Sequence, residues 1–219
     1  MDILQVITQE LGVQKWQVEA AVKLIDEGNT IPFISRYRKE ATGTLNDEQL
    51  RNLNERLTYL RNLEDKKNQV LSSIEDQGKL TEELKAQILA AQTLVVVEDL
   101  YRPYRPKRRT RATIAKEKGL EPLANIIMLQ MTGKSIEEEA EAFVSEEKEV
   151  ASVADAIAGA KDIIAEHISD EADYRIHIRD LTAKKGTISS TAKDPEAQSV
   201  YEMYYDFEEP VKKLAGHRV

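Results

Sequence analysis

Cysteine is absent from this 219-residue chain, and with it go disulfides, thiolate metal sites and cysteine nucleophiles. Histidine is scarce. His167, His177 and His217 are the only three, and the first two fall on what read as different helices. No His-Glu-x-x-His or comparable ligand spacing occurs, so no metal site is expected. Glycine-rich phosphate loops of the GxxxxGK[ST] and GxGxxG kinds are missing, as is a GxSxG nucleophile elbow. Asp155, Asp162 and Glu166 share one face of a predicted helix and read as a solvated acidic surface rather than a catalytic set. The expectation is therefore a non-enzymatic protein with no catalytic residues and no cofactor. No apolar run approaches the 18 residues of a membrane span; the longest lies around "LVVVEDL". The opening "MDILQVITQE" carries an acid at position 2 and lacks the cationic start of a secretory signal. A cytoplasmic location is the default expectation, with no membrane partner.

Aromatic residues make up only 5% of the chain, against 41% apolar and 32% charged residues. A mixture dominated by Leu, Ala, Glu, Lys and Ile, with 9 Gly and 6 Pro, predicts an all-α fold in one large or two small domains. Apolar spacing predicts helices at 2–11 and 14–27, ended near Gly12 and Gly28, and a third over "IPFISRYRKE" with Pro32 in its first turn. Asn46 with Gln49 three residues on is a capping pair for a helix over 46–77. Its stripe runs Leu50, Leu53, Leu57, Leu60, Leu63, then Val70, Leu71 and Ile74. Thr81 caps "EELKAQILAA", and the two are expected to form a long helical hairpin. A coiled-coil dimer is the alternative, but Glu64 and Lys67 interrupt the heptad, so a monomer is expected. "TLVVVEDLY" reads as helix despite its three valines. Beyond it, "TIAKEKG" and "LEPLANIIMLQ" suggest a helix-turn-helix-like pair around Gly119, and Ser135 with Glu138 caps an acidic helix at 136–145. Helices at 150–168 and 171–184 precede a β-branched, then aromatic tail with Tyr201, Tyr204, Tyr205 and Phe207, expected to serve packing. The sub-division that follows is 1–45 with 92–134, then 46–91, then 135–219.

What the sequence does concentrate is positive charge. "YRPYRPKRRTRAT", residues 101–113, contains no acid and places Arg102, Arg105, Lys107, Arg108, Arg109 and Arg111 within eleven residues. The whole chain carries −8, so removing these six cations leaves −14 for the remainder. Arg102 and Arg105 each precede proline, which disfavours the α region and predicts an extended, polyproline-like segment. Guanidinium forks bind phosphate oxygens, and the faces of Tyr101 and Tyr104 can stack on bases. One reading is a nucleic-acid-contacting loop. The other pairs these cations with the chain's own segment 135–149, which holds seven Glu and one Lys. Arg36, Arg38 and Lys39 form a smaller basic cluster, read either as a further nucleic-acid contact or as a solvated or internally paired face, with Arg36 and Lys39 on one helical face and Phe33, Ile34 and Tyr37 anchoring the other side.

The stretches "TIPFISRYRKEATGTLNDEQLRNLNERLTYLRNLEDKK", "VVEDLYRPYRPKRRTRATIAKEKGLEPLA" and "YYDFEEPVKKLAGHR" resemble the N-terminal region of the bacterial Tex family of transcription accessory proteins. The family's "PFISRYRKE" pattern falls on Pro32 to Glu40 and its "EDLYxPYxPKRRTRA" pattern on Glu98 to Ala112. The resemblance implies a helical region with a helix-turn-helix-like module, and an N-terminal piece of a longer protein that continues into RNase H-like, helix-hairpin-helix and RNA-binding domains. It further implies association with RNA or DNA during transcription, mainly through the C-terminal domain. The expected role of this region is electrostatic, sequence-independent nucleic-acid binding; the alternative is a scaffold that docks later domains or the transcription machinery.

Overall fold

Helix α4, Asp47–Asp76, is the spine of the first of two compact units in the computed structural model, which describes residues 1–218. Its start is fixed locally. The Gln49 amide donates to Asn46 Oδ1 at 2.8 Å, and the Asn46 amide donates back to Gln49 Oε1 at 3.0 Å. Leu50, Leu53, Leu57, Leu60, Leu63, Val70 and Ile74 are buried along one side, and Lys67 occupies the place in that stripe that the heptad reading treats as an interruption. Helices α1 (Ile3–Leu11), α2 (Lys15–Asp26) and α3 (Ile31–Tyr37) pack on it, as do α5 (Glu82–Ala90) and α6 (Leu94–Tyr101). Thr81 accepts from the Leu84 amide at 3.2 Å, so the predicted cap of α5 is present, and α5 turns back to bury Leu84 and Ile88. The triple valine is helical, as read.

Burying a lysine inside a leucine stripe requires a partner for every charge. Lys67, 2% exposed, donates to Glu64 Oε1 and to the Leu89 carbonyl of α5, both at 2.9 Å. Glu64 also accepts from the N-terminal ammonium at 3.1 Å. Burial alone would raise the Glu64 pKa; the hydrogen bonds from Lys67 and the N-terminus outweigh it and hold the carboxyl below its ordinary value.

The second unit begins at Arg102. It contains α7 (Arg111–Glu117), α8 (Glu121–Leu129), α9 (Ile136–Glu141), α10 (Val153–Asp170) and α11 (Ala172–Lys185). Its core is built from small residues: Ala112, Ala115, Ala124, Ala140, Ala156 and Ala160 surround Leu120, Leu123, Val150 and Ile163. Alanine and glycine let α10 approach α7 and α8 closely. Gly159 lies directly against Leu120 and Ala115, where a side-chain carbon would collide with Leu120. The acidic helix stops at Glu141 rather than 145, because the chain then doubles back through a bridge between Ser145 and Val150.

The fold is predominantly α, with one departure. Strands β1 (Thr187–Thr191) and β2 (Asp206–Pro210) pair antiparallel, from Thr187 opposite Pro210 to Thr191 opposite Asp206. The β-branched residues that mark the change in the tail form this ladder, and Tyr204 packs edge-on against Phe207 at 5.4 Å. Among the described residues, no helix is long and apolar enough to cross a membrane.

Candidate nucleic-acid interface

The basic segment is folded more tightly than its prolines suggest. Arg102–Tyr104 form a 3-10 turn in place of the predicted extended start, with the Arg105 amide donating to the Arg102 carbonyl at 3.4 Å. Only residues 105–110 lie outside helical structure before α7, which Thr110 caps by accepting from the Thr113 amide at 3.1 Å. Arg111 is the first residue of that helix rather than part of a loop.

Helix α10 decides where the cations go. Asp162, Glu166 and Asp170 are four residues apart and share one face, so they form a carboxylate stripe. Arg102 Nε donates to Asp170 Oδ1 at 3.0 Å, and Lys107 Nζ makes a short contact with Asp170 Oδ2 while standing 3.5 Å from Glu166. The Thr110 hydroxyl donates to Glu166 at 3.0 Å. Arg111 Nε lies 3.7 Å from Asp162, and Arg109 donates to Glu117 on α7 at 2.7 Å. The carboxylates that meet the basic segment thus come from α10 and α7. Among the described residues, the Glu-rich stretch 135–149 supplies none, contrary to that pairing expectation.

These pairs are not equivalent. Asp170 is only 12% exposed and Lys107 29%, so their contact is shielded from water. Arg109 and Glu117 are 67% and 52% exposed, the regime in which ion pairs contribute about 0–1 kcal/mol. Arg111 is more exposed still. The side chains of Arg105 and Arg108 are exposed and make no ion pair among the described residues. The segment is therefore anchored through Arg102 and Lys107, and open through Arg105, Arg108, Arg109 and Arg111. Tyr101 belongs to the first unit; its hydroxyl and that of Ser73 are 2.9 Å apart, and its ring is half-buried. Tyr104 is likewise half-buried. Asp170 is the residue that sequence reasoning missed. The four-residue rhythm of 162 and 166 extends to it, but no local rule ties it to Lys107.

The smaller cluster lies in the first unit and differs from the helical arrangement expected. Helix α3 ends at Tyr37, so Arg36 and Lys39 do not share a helical face. The chain instead curls back, with the Thr42 amide donating to the Arg38 carbonyl at 3.2 Å and the Thr44 amide to the Lys39 carbonyl at 2.8 Å. Buried Thr42 reinforces this turn through its hydroxyl, and Gly43 completes it at φ 61°, a left-handed conformation. Of the three expected anchors only Ile34 is buried; Phe33 and Tyr37 are exposed.

Known proteins match the chain in two blocks. The family described as "Tex-like protein N-terminal domain" matches residues 1–75, and the one described as "Tex central region-like" matches residues 132–219. An uncharacterized Bacillus subtilis protein, YdcI, is 48% identical over 98% of this chain and 30% of its own length. The Neisseria gonorrhoeae "Transcriptional accessory protein Tex" is 42% identical over the whole chain and 29% of its own length. The human "S1 RNA-binding domain-containing protein 1" is 26% identical over the whole chain and 22% of its own length. The chain thus spans less than a third of each of these relatives.

Proposed function

This chain belongs to the Tex family, and from that premise we propose that it is a non-catalytic helical region of a transcription accessory protein that associates with nucleic acid by charge rather than by base sequence. The names of two relatives support the setting, one a transcriptional accessory protein and the other carrying an RNA-binding domain. The observation that carries the reading is the open half of the basic segment. Arg105 and Arg108 have no carboxylate partner among the described residues, and Arg109 and Arg111 flank them in exposed, exchangeable pairs. Guanidinium groups so placed exchange a solvated ion pair for a phosphate at little cost. Arg102 and Lys107 hold the backbone that presents them.

If four cations engage a single strand, log affinity falls with log salt at a slope of about −3, from −0.7 per neutralised phosphate. Fluorescence anisotropy of labelled oligo(U) and oligo(dT) across a salt series reads this slope. Replacing Arg105 and Arg108 with Gln is expected to halve it without changing the melting temperature. Absence of any salt-dependent binding by the wild-type chain refutes the reading. A second reading, a scaffold for docking, draws on the shielded Lys107–Asp170 contact. It expects Lys107→Gln to lower melting while no oligonucleotide binds.

A further inference from the structure

Between residues 16 and 44 every exposed large apolar side chain is an aromatic ring: Trp16, Phe33 and Tyr37. Phe33 and Tyr37 lie on consecutive turns of α3 with ring centres 5.3 Å apart, and the Arg38 guanidinium sits 5.9 Å over the Phe33 ring. Trp16, at the start of α2, lies over the backbone of Gly43, leaving no room for a side chain there. Gly43 belongs to the turn that folds back on Arg38, Lys39 and Glu40, so the indole borders the same turn. Gln17 locks it in place by donating to the Gly43 carbonyl at 2.8 Å. Arg36 and Lys39 are exposed with no carboxylate partner among the described residues. The local balance is three cations against Glu40, with Lys15 and Glu19 forming their own pair nearby.

We propose that this surface is a second nucleic-acid contact, a stacking platform for single strands in which Tyr37 and Trp16 receive bases and Arg36 and Lys39 receive phosphates. It deepens the nucleic-acid reading above and rests on it for the class of ligand. The occupant follows from the composition of the patch. A flat ring stacks on any base, and a ring capped by guanidinium offers a second planar surface of the same kind. Aliphatic side chains are absent among the exposed large apolar residues of this stretch, which leaves flat rings and cations as its contact groups. In a chain of net charge −8, a locally cationic patch of rings selects a polyanion that carries planar groups.

Trp16 is the only tryptophan, so its fluorescence reports on this platform. Titrating the 219-residue chain with oligo(U) or oligo(dT) is expected to quench it, with the same midpoint that anisotropy gives. Tyr37→Ala is expected to weaken that quenching midpoint by about five- to a hundredfold, while Tyr37→Phe, which keeps the stacking face, leaves it within about twofold. Arg36→Gln with Lys39→Gln is expected to flatten the salt dependence of quenching. Melting curves of all variants should coincide, since these side chains are exposed. Oligonucleotide that binds by anisotropy without quenching Trp16 overturns the platform and leaves the basic-segment reading intact. Quenching and anisotropy that both stay unchanged in Arg105→Gln with Arg108→Gln uphold the platform and refute that earlier reading. Quenching by poly-glutamate but not by oligonucleotide overturns it in favour of an acidic protein partner.

Discussion

Lys107 and Asp170, 63 residues apart in sequence, meet in a contact that ties the basic segment to the last turn of α10. Asp170 also accepts from Arg102. One carboxylate therefore serves two cations, and its removal leaves Lys107 facing only Glu166.

Asp170→Asn is accordingly expected to destabilise the second unit by about 2 kcal/mol, more than a surface pair and less than a fully buried one. Arg102→Gln, on the more exposed partner, should cost under about 1 kcal/mol. Urea titrations of the two variants check the ranking, and equal losses would contradict the shared-carboxylate account.

Lys67 offers a different test, because its charge sits in an apolar stripe. Lys67→Met keeps the volume and dispenses with the buried ammonium, so stability should stay within about 1 kcal/mol of wild type. Lys67→Ala leaves a cavity in the buried stripe of α4, and should cost about 3 kcal/mol. Denaturant midpoints decide between them.

Acid should expose the Glu64 linkage. The folded pKa lies below the unfolded one, so the folded chain binds fewer protons in the acid range and stability rises with pH there. The contribution is complete above the unfolded value of about 4.3 and is lost as pH falls through the depressed folded pKa. Glu64→Gln should flatten this limb of a stability–pH curve; an unchanged limb would show that other carboxylates govern it.

Two glycines with the same backbone need make a controlled pair. Gly43 and Gly78 both have φ near 60°, at 61° and 65°, but only Gly43 lies beneath another side chain. Gly78→Ala should cost about 1 kcal/mol from backbone strain alone. Gly43→Ala should cost about 1–3 kcal/mol more and shift Trp16 fluorescence as the indole is displaced. Matching losses without a spectral shift would show that Trp16 does not cover Gly43.

The helical architecture was readable wherever the cause is local. Asn46 with Gln49, Thr81 and Ser135 with Glu138 each cap the helix that their spacing predicts, since the donors and acceptors lie within three residues. Lys67 reads as an interruption of the heptad, and its burial is not legible, because a hydrophobic stripe counts side chains and not the partners that neutralise them. The 3-10 turn at Arg102 went unseen because pre-proline preferences describe an isolated chain, whereas Asp170 holds this one. The β1–β2 ladder could be suspected from β-branched residues, but no register follows without its partner strand. At the candidate interface the residue types were legible and the pairing was not. Sequence identifies the cations; only the fold reveals that carboxylates of α10 pair with three of them, Arg102, Lys107 and Arg111.

The carboxylate stripe on α10 makes the molecule its own rival for its arginines. Asp162, Glu166 and Asp170 recur every four residues, a rise of about 6 Å, and so imitate a short run of phosphates held permanently within reach. An incoming strand has to outcompete a tethered mimic, which sets a floor on how weakly charged a ligand can be and still engage. Neutralising Asp162 and Glu166 would lower that floor and tighten oligonucleotide binding, so that taking two acids away from one helix improves a contact made by another element.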